Sequence, residues 1–208
     1  VSDGYLMEGV SAEAASIAGT WGLGKLIYLY DSNAVTLDGK ADMTFTEDVE
    51  MRYKAYGWHT LTVADGNDWG AISRAIADAK AVTGKPTLIT VKTIIGYGSP
   101  NKQGTSKAHG EPLGADEVKL VKEYFGWPQE DFYVPGEALE HWREAVDAGA
   151  AAEAEWTARF EAYRAAYPEL AAEFERALAW QLPEGWDADI PTYSADKKIA
   201  TRNASGEV

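Results

Sequence analysis

Three residues near the start of the chain could hold a metal ion and a phosphate between them. Asp3 and Gly4 stand in VSDGYLMEGVSAEAAS, and Asn33 lies thirty positions after Asp3 in KLIYLYDSNAVTLDG. A carboxylate and a carboxamide oxygen are hard donors, the type that Mg²⁺ or Ca²⁺ requires. One carboxylate leaves such an ion short of ligands, and magnesium commonly completes its octahedron with phosphate oxygens and water. Glycine has no Cβ, so Gly4 would let a diphosphate approach the start of a following helix. The set suits a metal-bridged diphosphate cofactor. A second reading stays open: Asp3 could simply cap free backbone N–H groups at a helix start. Against that reading, the helical run already carries Ser11 and Glu13 in its opening turns.

For Asp3 and Asn33 to meet, the two strands that end on them must be neighbours in one sheet. Residues 7–21 read as a helix with small residues on one face, and KLIYLYD (25–31) as a buried strand. TEDVEMRYKAYG (46–57) has Thr46 as a cap, acids in its first turn and Gly57 as a stop, which makes a helix. WHTLTV (58–63) is a strand, DGND (65–68) a turn that caps a helix over 69–82, and TLITVKT (87–93) another strand. Strand, helix, strand, helix, strand predicts an α/β fold: a parallel sheet with helices on both faces. Ligands of such sheets bind beyond the carboxyl ends of the strands, where Asp3 and Asn33 fall.

The stretch 96–114, GYGSPNKQGTSKAHGEPLG, holds five glycines and two prolines and has no apolar period. Its length suggests a functional or disordered loop, one that needs a cofactor or partner surface to become ordered. A helix over 115–125 follows, with Asp116 near its start. Beyond about 137 the composition turns to Ala, Glu and aromatics. Trp156, Phe160, Tyr163 and Tyr167 share one helical face, Pro168 restarts the helix, and 182–196 reads as an extended linker. The expected organisation is therefore 1–135, a helical extension over 136–181, and a last segment over 182–208.

The totals narrow the function. The chain has 208 residues, 46% of them hydrophobic, with 8 Trp, 11 Tyr and 5 Phe, enough for a packed core. With 19 Lys+Arg against 33 Asp+Glu, its net charge of −14 argues against a nucleic-acid groove and against an anionic membrane surface. The absence of cysteine removes disulfides and thiolate zinc sites. No 18-residue apolar run marks a membrane span. The chain opens on Val1 inside an apparent strand, so we expect it to continue a longer polypeptide.

The literal residues carry further than their spacing. SDGYLMEGVSAEAASIAG with GLGKLIYLYDSN resembles the thiamine-diphosphate motif of the transketolases, whose usual form is G-D-G-x-L-M-E-G-V-x-x-E-A and, thirty residues on, Y-D-x-N. AYGW, DGND, KPTLITVKTIIGYGSPNKQGT, HGEPLG, FYVP and IATRNASG are similar to transketolase strings in the same order, so the resemblance covers nearly the whole chain. It implies the later part of the diphosphate-binding domain (1–135), its helical extension, and over 182–208 a linker with the first residues of the pyrimidine-binding domain. The fold would then be an incomplete thiamine-diphosphate-binding fold. The substrate histidines of earlier strands and the glutamate that activates the thiamine ring would lie outside it, leaving the chain alone inactive.

By the same resemblance Asp3, Asn33 and the Val35 carbonyl are ligands of Mg²⁺ (or Ca²⁺), and Gly4 and Asn33 contact the diphosphate. Glu8 matches an acid near the subunit interface and cofactor, or is an ordinary first-turn acid. Ile95 matches a residue beside the cofactor ring, or is a strand-end core residue. His109 matches the active-site histidine that contacts cofactor and substrate, where an imidazole can donate a hydrogen bond or relay a proton; a surface loop histidine is the plain alternative. Arg202 matches an arginine that holds the substrate phosphate, a task its guanidinium fork suits. His59 and His141 read as a strand residue and helix surface. Four positions depart from the family pattern. Ser2 replaces a glycine, Ser106 a histidine, and Thr20 and Ala34 residues that are often histidine. A glycine with φ > 0 at position 2 would make Ser2 costly by about 1 kcal/mol.

The resemblance implies transfer of a two-carbon ketol unit from a ketose phosphate to an aldose phosphate, in a cytoplasmic homodimer of the pentose phosphate pathway. Two alternatives remain open: a related ketol transferase with another acceptor such as formaldehyde, and a non-catalytic thiamine-diphosphate-binding protein.

Overall fold

The structure is a computed structural model that describes residues 1–196 and 198–208. The chain divides into two compact units, Val1–Tyr133 and Val134–Val208.

The first unit is built on three parallel strands, β1 (Ile27–Ser32), β2 (His59–Val63) and β3 (Thr87–Lys92), in the order β1-β3-β2. Central β3 is buried on both faces, as its uninterrupted apolar and threonine run requires. Ile27 pairs with Thr87 and Ser32 with Lys92 on one side, while His59 pairs with Thr87 on the other. The chain start adds a further rung: Ser2 bridges Asp31 in parallel, the Val1 nitrogen donates to the Leu29 carbonyl at 2.9 Å, and the Asp31 N–H donates to the Val1 carbonyl at 2.9 Å. Asp3 therefore follows directly from a strand position beside β1.

Helices cover both faces, so the expected α/β architecture is the one found. On one face α1 (Asp3–Met7), α2 (Gly9–Thr20) and α3 (Val49–Ala55) enclose Leu6, Ala15, Tyr30, Tyr53, Trp58 and Leu88. The Trp58 ring lies tilted at 5.1 Å from Tyr28 and edge-on at 4.9 Å from Tyr53, and its indole N–H donates to the Ala15 carbonyl at 2.8 Å. On the other face α4 (Trp69–Ala81) packs Ala75 and Ala79 over Val63, Ile89 and Val91. Gly19 lets α2 approach closely, since a Cβ there would lie 1.8 Å from the Tyr56 carbonyl oxygen.

Three local readings change. The run over 7–21 is not one helix from Met7: it breaks at Glu8, which is extended (φ −68, ψ 130) between α1 and α2. The break frees the Leu6 carbonyl, and the Arg52 guanidinium donates to it at 3.1 Å. The cap of α3 is Asp48 rather than Thr46, its carboxylate accepting from Met51 N–H at 2.9 Å. The stretch 96–114 is ordered by the chain itself. Ser99 is fully buried, and the Glu117 carboxylate of α5 (Ala115–Tyr124) accepts from the Ser99 hydroxyl and from the Asn101 backbone and side-chain N–H at 2.9 and 2.8 Å. These donors hold the Glu117 carboxyl below the usual carboxylate range, the Ser99 hydroxyl contributing most.

The second unit holds α6 (Gly136–Ala166), α7 (Pro168–Leu178) and α8 (Thr201–Glu207). Pro168 opens α7 as its first residue, where its missing N–H costs nothing. The aromatic face of α6 meets Phe174 of α7, with Phe160 at 5.4 Å. Within the stretch expected as an extended linker, residues 183–190 instead make successive turns, with Gly185 at a positive φ of 69°.

Candidate functional site

A cleft of about 500 Å³ opens at the carboxyl end of β1. Gly4, Glu8, Asn33, Val35 and His109 all line it, joined by Ser2, Tyr5, Met7, Thr36 and Leu37. Three stretches far apart in sequence thus converge: the first helix and its break, the turn after β1, and the glycine-rich stretch.

Asp3 is the first residue of α1, 3% exposed, and makes no capping bond to its own helix. Its carboxylate reaches across to the segment around Asn33. One oxygen accepts from the Tyr30 hydroxyl and the other from the Ala34 N–H at 3.0 Å. Burial, and then the bond to Asp3, push the Tyr30 phenol well above its ordinary range. Asp3 does not itself border the cleft, whereas its chain neighbour Gly4 and Asn33, next to its Ala34 partner, both do.

Asn33 is half-buried, and its carboxamide oxygen accepts from Val35 N–H at 3.0 Å, which sets the turn. The Val35 carbonyl accepts no protein hydrogen bond among the described residues. The turn places Ala34 at φ 60, a left-handed conformation that costs a residue with a Cβ about 1 kcal/mol. Strain thus sits at Ala34, not at Ser2, whose φ of −133 and ψ of 177 are ordinary extended backbone that any residue adopts. The cost expected at Ser2 is absent for that reason.

His109 follows a short 3-10 turn, Ser106–Ala108, which its N–H closes by donating to the Ser106 carbonyl at 2.9 Å. Gly96 allows this placement: it has a φ of +64, and a Cβ there would lie 2.8 Å from the Ala108 Cβ. Ile95 is half-buried and not on the cleft; its carbonyl accepts from Gly104 N–H at 2.8 Å and so closes the loop that leads to His109. Arg202 is exposed on α8 in the second unit. His59 is in β2 with its ring 3.3 Å from the Thr87 hydroxyl, and His141 is exposed on α6.

The donors fit the group for which they were singled out. A buried carboxylate bonded to the Ala34 N–H, a carboxamide oxygen, a carbonyl with no protein partner among the described residues, and a glycine whose Cβ position is open space belong to the cleft or adjoin its lining. All are hard oxygens, and a carboxylate oxygen that accepts one N–H bond retains a lone pair for a cation. No cluster of three acidic, histidine or cysteine side chains able to hold an ion is present among the described residues, so backbone, water or ligand oxygens must supply the rest. Two structural partners were not visible in the sequence. Tyr30 follows the period of a buried strand and reads as core. Glu117 could have been noticed as a first-turn acid, but its partners lie 16 and 18 residues back.

Known proteins share the sequence and the fold of this chain. A transketolase from Geobacillus stearothermophilus is 54% identical over 208 residues, which span 99% of this chain and 31% of that protein. A Pichia stipitis transketolase solved in complex with sedoheptulose 7-phosphate superposes with a TM-score of 0.80 at 47% identity, over 100% of this chain and 31% of that one. A transketolase from Campylobacter jejuni gives 0.76 at 35% identity, over 99% of this chain and 31% of that one. The chain thus spans about a third of the length of the relatives it matches. Residues 1–183 match the family described as transketolase, thiamine diphosphate binding domain, and the chain belongs to that family.

Proposed function

We propose that this chain forms the metal and diphosphate anchor, and one acid–base group, of a transketolase acting on sugar phosphates. The observation that carries the reading is the convergence of Gly4, Asn33, Val35 and His109 on one cleft with Asp3 directly behind it. Asp3, Asn33 and the Val35 carbonyl would hold Mg²⁺ or Ca²⁺, with diphosphate oxygens completing its shell. Gly4 would leave room for the diphosphate, Glu8 would border the cofactor, and Ile95, off the cleft, would act only by closing the loop that carries His109.

Thiamine diphosphate, when bound, supplies the nucleophilic carbon and the electron sink needed to break a ketose C2–C3 bond. The protein's part is to orient and to move protons. His109 faces the cleft from the loop side and would donate a hydrogen bond to a substrate oxygen or take its proton as the bond breaks and re-forms. Arg202 would hold the substrate phosphate once the remainder of the protein completes the pocket. A homodimer, a cytoplasmic setting and a place in the pentose phosphate pathway belong to the same reading. The acidic balance of the chain favours neither nucleic acid nor an anionic membrane as partner, and no helix among the described residues is long and apolar enough to cross a membrane.

In the complete protein, His109→Ala should lower turnover by about 10²-fold or more, the range for a positioned acid–base group. Magnesium-dependent affinity for thiamine diphosphate should change far less, because its anchor is Asp3, Asn33 and the Val35 carbonyl rather than the loop that carries His109. Unchanged turnover, or a collapse of cofactor affinity, would remove His109 from the chemistry.

A further inference from the structure

The Asp3 carboxylate is almost wholly withdrawn from solvent, yet neither of its oxygens is left to rotate. The Ala34 N–H holds one at 3.0 Å, and the Tyr30 hydroxyl holds the other. Tyr30 itself is 4% exposed, in β1, with its ring among Leu6, Val49, Tyr53 and Leu88. Its register partner across the sheet is Thr90 of β3, itself buried. The phenol is therefore fixed by the core of the sheet, and its O–H is fixed on the carboxylate.

We propose that Tyr30 is a positioning residue for the divalent cation: its hydroxyl sets the rotation of the Asp3 carboxylate toward the Asn33–Val35 turn. The inference rests on Asp3 being a metal ligand. A carboxylate held on one side by the β1 core and on the other by the Ala34 N–H cannot swing into its own helix. The rotational freedom that cation binding would otherwise remove is thus already lost in the fold. Partners of this kind, one bond removed from the ion, commonly contribute 10- to 100-fold to metal affinity.

The test is Tyr30→Phe in the complete protein, which keeps the ring and removes only the donor. Mg²⁺ is titrated calorimetrically at saturating thiamine diphosphate, beside Asp3→Asn and Tyr53→Phe. Tyr53 is a second phenol of the same core, 1% exposed, with no bond to Asp3. We expect Mg²⁺ affinity to fall about 10- to 100-fold in Tyr30→Phe, to fall further in Asp3→Asn, and to stay unchanged in Tyr53→Phe. The apparent KM for Mg²⁺ should rise in Tyr30→Phe while kcat at saturating Mg²⁺ is kept, a split that general loosening of the core would not produce. If Asp3→Asn loses affinity and Tyr30→Phe matches Tyr53→Phe, the role of Tyr30 is wrong and the metal site stands. If Asp3→Asn also binds Mg²⁺ normally, the metal site is wrong and this inference goes with it. Should Tyr30→Phe fold only in the cold, the ratio to Tyr53→Phe at 5 °C decides in the same way.

Discussion

The sheet unit and the helical unit of this chain are stable for different reasons. In Val1–Tyr133 the residues that matter are remote in sequence: β1 pairs with β3 sixty positions away, and Trp58 donates to Ala15. In Val134–Val208 the 31-residue helix α6 is built of Ala and Glu, good helix formers, and has no buried residue. Its Trp142 is 73% exposed, and among the described residues of the unit Ala171 of α7 is the one that is buried. Local propensity suffices to write a helix, but a site needs parts that only long-range packing can assemble, and the cleft lies wholly within the first unit.

The sharpest way to break this contrast is to truncate one large apolar side chain in each unit. Leu88 of β3 is fully buried, and Leu88→Ala should cost about 2–5 kcal/mol, as for other large-to-small core changes. Phe174 in α7 is 42% exposed, and Phe174→Ala should cost about 1 kcal/mol. Hydrogen exchange of the β3 and α7 amides reads the two effects separately. Equal losses would show that the helical unit has a core as firm as that of the sheet.

A smaller effect should come from Glu117. Glu117→Gln removes a charged acceptor that three donors share, so exchange at Asn101 should quicken and the loop carrying His109 should loosen. The folded carboxyl lies below its ordinary value, so its stabilisation is fully present above the ordinary glutamate pKa of about 4.3. It is lost as the pH falls through the lower folded value. The difference between wild type and Glu117→Gln should therefore be constant from neutral down to about pH 5 and shrink under acid. A difference that grew under acid would assign the loop's order to other groups.

The smallest effect should be at Arg164, which pairs with Glu161 on α6 and Glu175 on α7 and lies 5.1 Å over the Phe160 ring. All three charged side chains are substantially exposed, and exposed ion pairs contribute little. Arg164→Gln should leave the helical circular dichroism signal and the unfolding midpoint unchanged. A clear loss would mean that charge, rather than aromatic contact, joins α6 to α7.

Much of this protein can be read along the chain without coordinates. Alternating strand and helix patterns announce the parallel sheet, because apolar runs and caps are local signals. The strings around Asp3, Asn33 and His109 announce thiamine-diphosphate chemistry through the resemblance they carry. The chain alone could not show that Glu8 interrupts a helix, since the Arg52 that satisfies the freed Leu6 carbonyl stands 46 residues on. Nor could it show that the glycine-rich stretch is ordered by Glu117, or that Tyr30, with the look of a core residue, ends on the Asp3 carboxylate. Periodicity reports which way a side chain faces, whereas a hydrogen-bond partner is chosen by whatever folding brings within 3 Å. For Asp3, Ala34 and Tyr30 that choice belongs to the tertiary structure.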